Sequence, residues 1–189
     1  MESRHNLPIV PNPLDRNFQP EQSNAVWSGD ITYIETDEGW LYLAAVIDLH
    51  SRQVVGWSMA PHMHTCLVAD ALRMAWFRRH PEPGLIFHSD LGSQYCSHSP
   101  QSDLTEYAMK SLMSRKGNCW GNAPTESLWG SLKVGRLHGM RFETRRQAMD
   151  EVIDWLTLYN HRRLHSTLGY ISPMQFENNW LGAKFKKAA

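Results

Sequence analysis

The sequence predicts an α/β domain built on a mixed five-stranded sheet, three antiparallel strands and then two parallel ones, with helices on both faces. Three observations lead there. Residues 26–59 hold three strand-like runs joined by short turns. Two further short apolar runs, at 85–88 and 109–113, alternate with helical periodicity, as parallel strands with helical crossovers do. At 189 residues the chain is long enough for one well-cored domain.

Residues 1–24 contain four prolines and little periodicity, and read as an extended tail or linker. Residues 26–35 are rich in β-branched and aromatic types. Residues 40–49 are nearly all apolar, as a strand buried on both faces should be. Asp37-Glu38-Gly39 is the hairpin turn between them, and His50-Ser51-Arg52 turns the chain into a third strand, Gln53–Met59. A helix follows, with Val68, Ala71, Leu72, Ala75, Trp76 and Arg79 on one face and Thr65 as the expected N-cap; Pro81 and Pro83-Gly84 end it. Leu85–His88 is the fourth strand, Ser99–Tyr107 a helix and Met109–Met113 the fifth strand. Asn122-Ala123-Pro124 starts a helix that carries Glu126. Thr144-x-x-Gln147 is a capping box for a long helix that buries Ala148, Val152, Trp155, Leu156 and Tyr159. Ser172-Pro173-x-Gln175 repeats that logic for a short terminal helix. The organisation expected is a tail at 1–24, a core at 25–140, C-terminal helices at 141–180 and a basic tail at 181–189. This order of elements is the ribonuclease-H-like architecture.

Three acidic residues stand in distinctive settings: Asp30 in W-S-G-D-I-T-Y, Asp90 in F-H-S-D-L-G-S-Q-Y and Glu126 in N-A-P-T-E-S-L-W. In that architecture acidic residues lie midway along the first strand, at the end of the neighbouring fourth strand, and on a later helix at the same edge. Asp30, Asp90 and Glu126 match those places. Converging carboxylates make a cage for a hard cation such as Mg²⁺. Each has a plainer reading: Asp30 as a satisfied polar residue on a half-exposed strand, Asp90 as a turn starter, Glu126 as a favourable charge at a helix N-terminus. The three in order on the right elements argue for the cage.

Composition narrows the alternatives. Cys66, Cys96 and Cys119 are odd in number and far apart, so neither a disulfide framework nor a zinc site is indicated, and a reducing cytoplasm fits. The longest apolar run, Trp40–Ile47, is far short of the about 20 residues needed to span a bilayer. Zero net charge conceals an asymmetry: residues 1–130 hold 9 Lys+Arg against 14 Asp+Glu, and residues 131–189 hold 10 against 5. An acidic front and basic back suit a metal site beside a polyanion-binding surface, though a chance distribution over a solvated surface explains the split equally well.

The motifs W-S-G-D-I-T-Y, H-S-D-L-G-S-Q-Y, S-R-K-G-N-C-W, N-A-P-T-E-S and Y-N-H-R-R-L-H-S-T-L-G-Y-I-S-P resemble those of the DDE transposases of bacterial insertion sequences. The likeness is to the OrfB-type protein of the insertion-sequence family numbered three, itself similar to retroviral integrase. It runs from about Asn24 to Glu177, and 35 residues separate Asp90 from Glu126, the gap of that branch. The resemblance implies that Asp30, Asp90 and Glu126 are the catalytic metal ligands, with two Mg²⁺ ions, or Mn²⁺ in their place. It implies phosphoryl transfer: one ion activates the attacking oxygen and the other stabilises the leaving oxygen. Lys133 occupies the basic position that follows the family's glutamate. Seven residues turn a helix by about 700°, so Glu126 and Lys133 share a face, with Gly130 between them where a DNA backbone can approach. Lys133, Arg115, Lys116, Arg162, Arg163 and His165 are the expected DNA contacts, against plainer readings as solvated or helix-capping cations.

Gly121 and Gly135 replace acidic residues common in relatives, and Gly121 stands in the loop that leads to Glu126. Relatives also carry an upstream helix-turn-helix region that recognises the element's ends. The expected partners are therefore element ends and target DNA. The chain is expected as a homo-oligomer on that DNA or with a separately encoded helix-turn-helix protein, in the bacterial cytoplasm at the nucleoid. The alternative readings are a truncated, inactive remnant that only binds DNA or other chains, and a stand-alone nuclease of ribonuclease-H type.

Overall fold

The computed structural model describes residues 20–89, 98–113 and 123–188. Three strands, β1 (Val26–Ile34), β2 (Leu41–Asp48) and β3 (Val54–Ala60), form the antiparallel meander. The Gly39 N–H closes the first turn on the Thr36 carbonyl at 2.9 Å, with Gly39 at φ 101°, a conformation open to glycine at little cost. Helix α1 (Thr65–Arg79), β4 (Ile86–Ser89), α2 (His98–Glu106) and β5 (Lys110–Met113) follow. The sheet order is β3-β2-β1-β4-β5, and β4 pairs in parallel with both β1 and β5. The expected mixed sheet is thus the one observed.

Each face has its own core. On one, Trp27, Ala44, Val46 and Val55 meet Leu67, Val68, Ala71, Leu72 and Ala75 of α1. Helix α1 lies so close to β3 that a Cβ on Gly56 would stand 2.2 Å from the Ala71 carbonyl oxygen, so only glycine fits there. On the other face, Leu41, Leu43, Ala45 and Val54 pack against α3 (Ala123–Leu132) and α4 (Arg145–His161). Burying each such leucine is worth about 1.5–3 kcal/mol, and this is the main force that seats α3 on β1.

The helix ends show where local signals hold. Helix α4 has its full capping box: the Thr144 hydroxyl accepts from Gln147 N–H, and the Gln147 side chain accepts from Thr144 N–H. Ser172 caps α5 (Pro173–Ala188) through Gln175 N–H at 3.2 Å. That helix has 16 residues rather than being short, and the basic stretch from residue 181 forms its end. Tertiary contacts sustain it: the His50 ring lies 5.2 Å from both Phe176 and Trp180, and Glu177 pairs with Arg79. At α1 the N-cap is His64, with Thr65 the first helical residue, so the expected Thr65 cap is displaced by one position. Helix α3 does not run on as α-helix: Lys133–Leu137 forms a π-helical turn.

Candidate active site

Asp30 lies on β1, half-buried. Among the described residues β4 pairs with β1 from Val26↔Ile86 to Gly29↔Ser89, so Asp30 directly follows the last described pair. Its other neighbour is Ala45 of β2. Two hydrogen bonds orient the carboxylate. Oδ1 accepts from the Ile31 N–H at 2.8 Å, and Oδ2 accepts from the Trp129 indole Nε1–H, also at 2.8 Å.

Trp129 belongs to α3. Thr125, Leu128, Trp129 and Leu132 form the buried stripe of that helix, at the i, i+3, i+4, i+7 spacing of an amphipathic face. Glu126 sits in the first turn of α3, exposed, three residues before Trp129. Three residues advance a helix by about 4.5 Å, so Glu126 and Trp129 are neighbours on its surface. The Trp129 indole thus ties Asp30 of β1 to α3, the helix whose first turn carries Glu126. Asp90 lies outside the described residues; β4 is described up to Ser89, which pairs with Gly29. Among the described residues no three His, Cys, Asp or Glu side chains are grouped to hold a metal. The expected third ligand falls outside that set.

The donor set fits a hard cation. It offers carboxylate oxygens, and a carboxylate accepts at about four positions, so bonds from an amide and an indole orient a ligating oxygen rather than exclude a metal.

Lys133 is exposed at the start of the π-helical turn, and its Nζ stands 4.6 Å from the centroid of the Tyr33 ring. Tyr33 follows Asp30 on β1 and stacks edge-on with Trp40 at 5.0 Å. Single π turns within helices recur at functional sites. A Cβ on Gly130 or Gly135 would meet nothing within 4 Å; Gly130 lies on an open surface, and nothing in the structure explains Gly135.

The other basic candidates divide. Arg115 and Lys116 lie outside the described residues, as does Gly121. Arg162 is the C-cap of α4, and both it and Arg163 are exposed. His165 is different: its ring packs edge-on against buried Tyr159 at 4.9 Å, and its Nε2 is buried without a hydrogen-bond partner. Burial, then the positive charges of Arg163 and Arg52, lower its pKa to about 4. It is a neutral packing residue at neutral pH and brings no charge to a phosphate.

Trp129 is a core tryptophan whose link to the site is only faintly marked in the sequence. The signal was present in its position three residues after Glu126, the spacing of helix-surface neighbours. The Asn160 amide, whose role the sequence does not mark, pairs with both the N–H and the carbonyl of Val54 at 2.9 Å, docking α4 on edge strand β3.

A sheet of this order, with an aspartate on its central strand tied to a helix that presents a glutamate, defines an integrase-type core of ribonuclease-H-like fold. The chain belongs to the integrase core domain family: residues 20–119 match one family of that description, and residues 126–181 match a second. It is 47% identical over 175 residues to the transposase InsF for insertion sequence IS3A of Escherichia coli (strain K12), covering 92% of this chain and 61% of that protein. It is 44% identical over 179 residues to the insertion element IS600 uncharacterized 31 kDa protein of Shigella sonnei, covering 94% and 66%. The chain thus spans about two thirds or less of the length of these curated relatives. Among solved structures, the HTLV-2 integrase catalytic core domain in complex with magnesium is similar, with a TM-score of 0.65 at 17% identity, over 84% of this chain and 99% of that one. The simian T-cell lymphotropic virus intasome in complex with PP2A regulatory subunit B56 gamma gives 0.70 at 18% identity, over 93% and 60%. No helix among the described residues is long and apolar enough to cross a membrane.

Proposed function

We propose that this chain is the catalytic part of an insertion-sequence transposase, which cuts DNA strands at element ends and joins them to target DNA by metal-dependent phosphoryl transfer. The observation that carries the reading is the tie between β1, which bears Asp30, and α3, which bears Glu126, made by the Trp129–Asp30 hydrogen bond. Asp90 is bonded to Ser89, the partner of Gly29, and so follows directly on the strand that flanks Asp30. Asp30, Asp90 and Glu126 are the residues that would hold Mg²⁺, or Mn²⁺ in its place, as two ions. When bound, the metal supplies Lewis-acid activation of the attacking and leaving oxygens.

The chain's own residues do the rest. Asp30 is held to one orientation by its two donors. Lys133, beside Tyr33 on the strand that carries Asp30, neutralises a phosphate near the reacting bond. Arg162 and Arg163, with Arg115 and Lys116, bind the DNA backbone. His165 belongs to the packing and stands outside this group. The partners are element ends and target DNA, met as a homo-oligomer or with a separately encoded helix-turn-helix protein, in the bacterial cytoplasm at the nucleoid.

Two measurements test the reading. Millimolar Mg²⁺ or Mn²⁺ raises the melting temperature, because the ion binds only the folded site. Labelled duplexes bearing element ends are nicked and joined to target DNA only with metal. The reading fails if metal leaves the melting temperature unchanged and no joined strands form. Nicking without joining would point to a nuclease.

A further inference from the structure

We infer that Trp129 is a positioning residue for Asp30, and that its indole N–H sets the strand ligand and the helix ligand as one rigid unit. This rests on the reading of Asp30 and Glu126 as metal ligands. The indole nitrogen is a donor only, so it orients a carboxylate and does not itself ligate or compete for a cation. Its 2.8 Å bond reaches Oδ2, while the Ile31 amide holds Oδ1. With both oxygens bonded to different donors, the carboxylate plane is fixed. A bond to an ionised acceptor is also among the stronger kinds.

The donor is itself immobile. Trp129 is 8% exposed and packs in the core that joins β1 and β2 to α3 and α4, between buried Leu128 and Leu132. The bond is not a requirement of burying an indole in this sheet. Trp27, also on β1, is fully buried, and its Nε1 makes no hydrogen bond. At position 129 the donor is spent on a carboxylate, and on the helix turn next to Glu126. A displacement of α3 would pull on Asp30 as well as move Glu126. Groups that orient metal ligands in this way are typically worth 10–100-fold in metal affinity.

The test compares two replacements in the full chain. Trp129→Phe keeps an aromatic ring and removes the donor. Benzothienylalanine at position 129 keeps the whole bicyclic shape and replaces the N–H by sulfur, which serves if Trp129→Phe packs poorly. Mn²⁺ affinity is measured by calorimetry, and indole N–H resonances are followed by NMR as Mg²⁺ is added. The expected result is 10–100-fold weaker Mn²⁺ binding in both variants, with folding retained. The indole resonance missing from Trp129→Phe should be the one that moves most with Mg²⁺ in the parent chain. Affinity within twofold of the parent in the benzothienylalanine protein overturns the inference. Asp30→Asn separates the two levels of the argument. If that variant also binds Mn²⁺ normally, the reading of Asp30 as a ligand fails; if it loses Mn²⁺ while the Trp129 variants keep it, only the positioning role fails.

Discussion

Two aspartates on adjacent strands, Asp48 at the end of β2 and Asp30 midway along β1, show opposite uses of the same group. Asp48 on β2 pairs across from Trp27 and is fully buried. It accepts from the Asn24 N–H at 2.6 Å, the His50 N–H at 3.0 Å, the Ser51 N–H at 2.9 Å and the Ser51 hydroxyl at 3.1 Å. Three of these donors go to Oδ1 and one to Oδ2, and the group is fully buried, so Asp48 ties the turn and the start of β1 together rather than facing a ligand. Nearby, Arg79 of α1 reaches Asn24, Gln53 and the buried Glu177 of α5 and closes that end. Asp30, midway along β1, is half-buried; its two described bonds come from its own strand and from the helix that presents exposed Glu126. A fully buried carboxylate held mostly by backbone amides serves the fold. One that is half-buried and oriented by a side chain is placed to reach a ligand.

The strongest test of that contrast is a pair of substitutions with opposite readouts. Asp30→Asn or Glu126→Gln should lower strand cleavage and joining by more than about 10³-fold, roughly 4 kcal/mol of barrier; Glu126→Gln should leave the urea midpoint of the metal-free protein almost unchanged, and Asp30→Asn should cost about 1–3 kcal/mol for the one donor left facing its NH₂ group. Asp90→Asn should lower both activities as far and leave the metal-free fold as stable or slightly more so, because gathered carboxylates repel. Asp48→Asn should do the reverse. It turns an NH₂ group toward amide donors and costs about 1–3 kcal/mol for each buried donor left unpaired, without touching the metal-induced rise in melting temperature. Unfolding by Asp30→Asn would break the contrast.

A smaller set of effects comes from the closed end. Glu177→Ala leaves half-buried Arg79 with only Asn24 and Gln53 as partners and should destabilise the fold by about 1–3 kcal/mol in urea titrations. Arg79→Met combined with Glu177→Leu should recover most of that loss, since an apolar pair of similar volume removes both uncompensated charges.

How much of this the sequence displays depends on how local the cause is. Strand runs, the capping box at Thr144, the Ser172 cap and the turn glycine at 39 are set by neighbours in the chain. The break of α3 into a π turn at Lys133 has no such local mark, and the length of α5 depends on His50 and Arg79, far away in sequence. At the site, the identities of Asp30 and Glu126 are legible as motifs. The bond that joins Asp30 to Trp129, on the helix of Glu126, spans 99 residues and is visible only in three dimensions. His165 shows the converse: in a run of basic residues it looks like a phosphate contact, whereas the structure half-buries it with its ring packed on Tyr159. Asn160, in the same run, is spent on the backbone of Val54.

That last region gives the smallest expected effect, and a pH signature. His165 faces the aromatic ring of Tyr159 and the charges of Arg163 and Arg52, and its pKa falls from the usual 6.5 to about 4. Above pH 6.5 the imidazole is neutral folded and unfolded, and makes no pH-dependent contribution. Between 6.5 and about 4 the unfolded chain takes up a proton that the folded chain refuses, so stability falls as pH falls through that window. His165→Phe keeps an edge-on ring against Tyr159 and removes the titration. Melting temperatures at pH 7.5, 6 and 5 should therefore decline less steeply in the variant than in the parent. Equal slopes would mean that the imidazole reaches water and takes the proton without resistance. His165 would then return to the exposed cations beside it, and the closed end of the molecule would stop short of α4.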